Sequence, residues 1–508
     1  MRRSLALVLT VALVVLMAKN PALAQSATLE PPATPVGEQI AWLLDVSRLL
    51  PMSEAEAVEH FSPSLLAAAP VAFINAGLAA ISGPLGLTLI RYDGDDTAAR
   101  FLLSGVGLWI GRIRLDTERR IDELPISAYL PAPATWEELD DRLAAVAPRT
   151  ALLAAKITDG RCQPVHEVSP RRVMPLASGF KLYVLGALAH EVRRGEAGWD
   201  EPLAIRDDWK SLSSGEFQTF PAGTTLPLRE YANAMISISD NTATDHLIGR
   251  LGRARVEAQQ LRFAMAEAWR NAPFLTTREL FVLKLTDYPR LARTFERLPN
   301  LLQRLYLAQV VDNLPPPPIE SAESWTTPRS IDTIEWFGSP ADICRALAGL
   351  DRQAGTPGLE PVDQALSLND GLLWLDPENW SQTWFKGGNE VGVLTYSYLA
   401  RTGDETFVVS AMVSDPSAEV ADSAGSELRA LIRGAFALAA AIPAADIVVA
   451  DKLPSLTAAE AMALRRLGLD RERLRRSSSF TPTMTSSSGT TTPPVTVRVV
   501  VNRILTRK

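Results

Sequence analysis

Ser178 and Lys181 stand three residues apart in PLASGFKLYVLGALA (175–189). Pro175 suits a first helical turn and Gly195 an exit, so one helix is expected from about Leu176 to Arg194. Positions i and i+3 share a helix face, which would set the Ser178 hydroxyl beside the Lys181 amine. A serine hydroxyl is a poor nucleophile until a base takes its proton, and a lysine is such a base only when its pKa falls from about 10.4 toward neutrality, through burial or a neighbouring cation. Phe180, Leu182, Tyr183 and Leu185 offer the burial. Taken alone, the pair reads equally well as two polar residues at a helix start.

A second stretch, LPLREYANAMISISDNTATDHLIGRLG, carries Ser239-Asp240-Asn241 where one helical pattern ends and another begins. Ser239 is then presented at a corner; the competing reading is a plain helix N-cap, which favours the same residue types. The third is Lys386-Gly387-Gly388 on the strand TWFKGG. A lysine in a strand otherwise made to pack, followed by two glycines that let a ligand approach the backbone, reads as a substrate edge. It also reads as an edge-strand lysine that guards against aggregation.

These residues need elements to hold them. The N-terminal part carries helical stretches, EQIAWLLDVSRLL and SEAEAVEHF, with Ser53 and Glu56 forming a capping box for the second. LTLIRYDGDDTAARFLLSGVGLWIGRIRLDTERRI then alternates apolar and polar residues and breaks at Asp93-Gly94, which predicts antiparallel hairpins. From TWEELDDRLAAVA onward a second unit has a strand ALLAAKI, turned at Asp159-Gly160 toward CQPVHEV. Helical patterns fill its middle, and a late hairpin, TWFKGGNEVGVLTYSYLAR then TFVVSAMVS, is closed by the helix SELRALIRGAFALAAA. Strands at both ends with helices between predict a sheet that joins the ends of the unit. The fold class expected is α+β: an antiparallel sheet flanked by helices, behind a smaller α+β domain of helices and a meander.

The 508 residues, 47% hydrophobic and 21% charged, suit more than one globular unit. A net charge of −7 gives no electrostatic case for nucleic acid. The start, MRRSLALVLTVALVVLMAKNPALAQ, reads as a secretory signal peptide with an A-x-A site at Ala22-Leu23-Ala24, its apolar run short for a membrane span. The expected division is a signal peptide at 1–24, a linker at 25–37, an α+β domain at 38–133, the larger domain at 134–441 and a Ser/Thr/Pro-biased tail at 442–508. A periplasmic or secreted protein with no stable membrane span after cleavage follows from that. Cys162 and Cys344 could pair in such a compartment. Four histidines in no ligand spacing make no case for a metal, and no cofactor is called for.

SxxK, SDN and K-x-G in that order, over about residues 150–440, resemble the active-site set of the serine penicillin-recognising enzymes, the class A β-lactamases and penicillin-binding proteins. With PLASGFKLYVLGALA, ISISDNTATD and PFLTTREL, the chain is similar to the β-lactamase-like proteins of clavulanic acid gene clusters and related mycobacterial lipoproteins, which have an isomerase-like α+β domain in front. The resemblance implies that Ser178 is acylated, Lys181 is its base, Ser239 relays a proton to the leaving nitrogen, and Lys386 supplies positive charge that also depresses the Lys181 pKa. Asn241 would bind the acyl side-chain amide; the backbone N–H groups of Ser178 and Asn389, beside Gly388, would form the oxyanion hole. Gly387 departs from the usual Thr or Ser of the third motif. Glu267, four residues before Asn271 in AEAWRN, is the candidate deacylating base, with a solvated helix residue as the other reading. The implied substrate is a small-molecule β-lactam or a cell-wall peptide or ester. A D-alanyl peptidase or esterase inhibited by β-lactams, and a ligand-binding protein without turnover, remain open.

Overall fold

A computed structural model describes residues 29–442 apart from Ser213 and Asp422, so the expected signal peptide and all but the first residue of the expected tail lie outside the described residues. Helix Pro35–Leu49 starts inside the stretch expected to be linker: Thr34 accepts from Gly37 N–H, and Pro35 sits in the first turn. Helices Glu54–His60, Pro63–Ala68 and Val71–Ser82 follow. Ser53 caps the first of these by accepting from Glu56 N–H, but no return bond from the Glu56 side chain completes the expected box.

The meander is β1 (Thr88–Gly94), β2 (Ala98–Ser104), β3 (Leu108–Leu115) and β4 (Ile121–Glu123) in spatial order, with β5 (Ile126–Ala128) also on β3. The first turn falls two residues later than Asp93-Gly94 suggests. Gly94 is still in the ladder opposite Ala99, and Asp95 makes the turn by accepting from the Thr97 and Ala98 N–H groups at 2.7 and 2.9 Å. Helices and meander bury one cluster that includes Ile40, Leu43, Phe61, Phe101 and Ile113.

After helix Trp136–Val146 come β6 (Arg149–Thr158) and β7 (Arg161–Val168), the short strands β8 (Met174–Pro175), β9 (Pro202–Ala204), β10 (Thr225–Pro227) and β11 (Phe337–Gly338), then β12 (Gln382–Glu390), β13 (Val393–Thr402) and β14 (Glu405–Ser414). The antiparallel order β12-β13-β14-β6-β7 joins the two ends of the unit as expected. The stretch expected as one strand, TWFKGGNEVGVLTYSYLAR, is two, folded back at Gly392, whose φ is +83°. Alternation sorts the sheet's faces. Leu153, Trp384, Leu399, Val408 and Met412 pack with the central helices. Leu152, Tyr398, Phe407, Val409 and Ala411 pack with helices Trp136–Val146 and Ser423–Ala440. Cys162 on β7 is bonded to Cys344 on helix Pro340–Ala354, Cα to Cα 6.3 Å. Among the described residues no helix is long and apolar enough to cross a membrane.

Candidate active site

Ser178 is not on a continuous helix. Pro175 belongs to β8, Ala177–Phe180 form a 3-10 turn, and the α-helix begins at Lys181 and runs to Arg193, with Gly195 at φ +72° just past it. The break is tertiary in origin. Leu176 N–H donates to Trp336 O at 2.7 Å, the Thr395 hydroxyl donates to Leu176 O at 3.0 Å, and Phe180 stacks on Trp336. Ala177 is thereby held at φ +42°, a strained conformation for a residue with a Cβ. From Met174 to Ala189 every residue is buried except Ser178. The turn therefore lifts one hydroxyl out of an apolar wall.

Ser239 sits at φ +58° between helices Leu228–Ser237 and Asn241–Leu251, the corner expected of it. Asp240 fixes that corner: one carboxylate oxygen accepts from Ala243 N–H at 2.7 Å, the other from Glu216 and Phe217 N–H at 2.6 and 2.9 Å. Gly215 (φ +92°) makes room for it, since a Cβ there would stand 2.1 Å from that carboxylate.

Both lysines converge on this corner. Lys181 Nζ lies 2.6 Å from Ser239 O, 2.7 Å from Asn241 Oδ1 and 3.1 Å from Ser239 Oγ; Lys386 Nζ lies 3.0 Å from Ser239 Oγ and 2.6 Å from Gly387 O. A neutral Lys181 satisfies this geometry by donating to the first two and accepting the Ser239 hydroxyl proton. Both ammonium groups are fully buried, and burial pushes Lys181 down to about 7, opposed by the Asp240 and Asp245 charges. Lys386 is pushed well below its ordinary value by burial and then by Lys181. Burial is thus the largest cause that brings Lys181 down.

The structure differs from the expected Ser178–Lys181 contact: among the described residues the Ser178 hydroxyl makes no hydrogen bond, the lysine being turned to the Ser239 corner. Asn241, expected to meet substrate, has both ends of its amide engaged, Oδ1 with Lys181 and Nδ2 with Leu212 O at 3.1 Å. Gly388 is required by proximity, because a Cβ there would lie 2.2 Å from Leu176 O and 2.8 Å from Ser178 N. Asn389 beside it is exposed. A Cβ on Gly387 would stand 2.7 Å from the Phe385 ring. Glu267 does not join the group. It lies outside helix Arg253–Arg262, at the start of a short 3-10 turn, with its side chain 42% exposed and its carboxylate 3.5 Å from Arg270. Its partner in the spacing, Asn271, is buried and bonded to Gln260 and Phe337.

Asp245 and Thr395 are additions that no motif spacing signalled. Burial pushes Asp245 up to about 7, and its carboxylate accepts from the Thr277 and Arg278 N–H groups, tying the helix of Asn241 to the PFLTTREL stretch. Among the described residues no cluster of His, Cys, Asp and Glu could hold a metal ion.

Two family models match the chain: the beta-lactamase enzyme family over residues 135–311 and the ORF 12 gene product N-terminal domain over residues 31–117. No curated protein matches. Solved structures similar in fold include a beta-lactamase from Sphaerobacter thermophilus, 19% identical over 61% of this chain and 99% of that one, TM-score 0.44. PBP-A is 18% identical over 62% and 99%, TM-score 0.41. A putative class A beta-lactamase, PenP from Rhodopseudomonas palustris, is 16% identical over 60% and 98%, TM-score 0.42. Residues 135–311 are thus similar to the beta-lactamase enzyme family, and residues 31–117, in front of them, to the ORF 12 N-terminal domain.

Proposed function

We propose that the protein is an exported serine hydrolase of the class A β-lactamase type that is acylated at Ser178 by a β-lactam or a related amide or ester. The observation that carries this reading is the convergence of two buried, pKa-lowered lysines on the Ser239 hydroxyl, behind the one unburied residue of the Met174–Ala189 wall. Neutral Lys181 takes the Ser178 proton as Oγ attacks the carbonyl carbon. The oxygen of the tetrahedral intermediate, now negative, is held by the backbone N–H groups of Ser178 and Asn389. Its collapse breaks the C–N bond, and Ser239 passes its proton to the departing nitrogen, recovering one from Lys181. Export rests on the N-terminal stretch and is supported by the Cys162–Cys344 disulfide.

Deacylation needs a base for water. Among the described residues no carboxylate bonds to the side chains of Ser178, Lys181 or Ser239, and Glu267 is paired with Arg270 at the surface. That favours a long-lived acyl-enzyme, and with it a penicillin-inhibited peptidase or esterase, over fast drug hydrolysis. Intact-mass spectrometry of the mature protein with a penicillin is expected to show a one-drug adduct that decays slowly and is absent in Ser178→Ala. An adduct that survives Ser178→Ala would overturn the nucleophile; a wild type that stays unmodified would overturn the substrate class.

A further inference from the structure

We propose that residues Asn369–Asp376 form a strap through which the N-terminal domain holds the Ser239 corner and the Lys386 strand in position, making Asn369 and Arg112 positioning residues. The inference rests on the serine-hydrolase reading for its kinetic consequence, but its geometry stands apart from it.

The strap is a layer between the two units. Leu372 and Trp374 are buried against Leu102 and Ile110 of the N-terminal sheet, while the alternate residues, Leu373 and Leu375, pack into the cluster of the main sheet and helix Ser423–Ala440. Three arginines of the N-terminal sheet grip it: Arg91 pairs with Asp376 at 3.2 Å, Arg100 with Asp370 at 2.7 Å, and Arg112 donates to Asn369 Oδ1 at 3.3 Å. Arg91 and Arg100 also stand over the Trp374 ring, 5.3 and 5.5 Å from its centroid. Leu372 and Trp374 have φ of +60° and +49°. Such non-glycine conformations persist only where surroundings impose them. Here the imposing surroundings belong largely to the N-terminal sheet.

Two arms run from the strap into the site. Asn369 Nδ2 donates to Ser237 O at 2.7 Å, clamping the end of the helix two residues before Ser239. Gly371 (φ +58°) presses on Phe385, since a Cβ there would be 2.6 Å from that ring. The same ring lies 2.7 Å from where a Cβ on Gly387 would be. Phe385, stacked on Tyr398, is therefore wedged between the strap and the residue that follows Lys386.

Asn369→Asp tests the first arm, because it keeps the oxygen that accepts from Arg112 and from Gly371 N–H and turns the donor to Ser237 O into an oxygen that repels it. In the full chain, the single-turnover rate of acylation by a penicillin is expected to fall about 10- to 100-fold, with the drug's initial Kd and the unfolding midpoint nearly unchanged. Arg112→Met should act in the same direction, and it decides the matter if Asn369→Asp does not fold. Rates equal to wild type in folded variants would overturn the strap. Hydrogen exchange reads the geometry without substrate: faster exchange over residues 235–242 with β13 and β14 unchanged is expected, and no change there would also overturn it. A wild type that penicillin does not acylate would defeat the β-lactam reading alone, leaving exchange to judge the strap.

Discussion

Lys181 carries the chemistry proposed here because the fold denies it water. An unfolded lysine holds its proton up to pH 10.5, whereas folded Lys181 releases it near 7. Between those values the unfolded chain binds more protons than the folded one, so this residue makes stability rise with pH across the window, and its penalty is greatest at and below pH 7. Lys181→Met is therefore expected to stabilise the protein by about 1–3 kcal/mol at pH 7, with the gain fading toward pH 10.5. Urea unfolding of both proteins at pH 7 and pH 10 checks this; an equal difference at the two pH values would contradict the buried-base account. In the proposed mechanism the same titration sets the acylation rate. Acylation by wild type should climb with pH through an acid limb near 7, where the amine becomes free to accept a proton.

At the scale of elements, the proposed nucleophile is positioned by a strand and a turn that nearly touch. Gly388 on β12 and Ser178 in its 3-10 turn leave no room for one extra carbon, and the nearest atom in the way is the backbone oxygen of Leu176. Gly388→Ala should cut acylation more than about 100-fold, read by the rate of adduct formation, while Gly387→Ala, which meets the Phe385 and Tyr396 side chains rather than backbone, should cost less. Similar rates for the two variants would remove the oxyanion site from this edge. The three motifs, and β6, β12 and β14 as strands, were legible because they depend on residue type over short stretches. The break at Ala177 was not, because alanine favours helix and the turn is imposed by Trp336 and Thr395, more than 150 residues away in sequence. Asp95 took the first hairpin turn from Asp93-Gly94 through a side-chain bond that competes locally with a glycine signal. The strap was equally hidden, since nothing within Asn369–Asp376 announces left-handed leucine and tryptophan; their partners lie on β1, β2 and β3.

For the whole molecule, the sheet order separates stability from chemistry. β12, with Lys386 and Gly388, is one edge, and β7, with Cys162, is the other; three strands lie between them. The Cys162–Cys344 bond closes a loop of 182 residues, and the chain-entropy model assigns such a closure roughly 5 kcal/mol through the unfolded state. Its sulfur atoms join β7 to helix Pro340–Ala354, which packs on the central helices, so the bond staples the far edge of the sheet to the helical layer without touching the Ser239 corner. Reduction, or Cys162→Ser with Cys344→Ala, should lower the unfolding midpoint while the acylation rate of the folded protein at 25 °C stays within about twofold of wild type. Calorimetry beside single-turnover mass spectrometry separates the two quantities. A large loss of acylation rate in still-folded, reduced protein would mean that the two edges of the sheet are coupled, and that the disulfide is part of the site's geometry rather than of the molecule's stability alone.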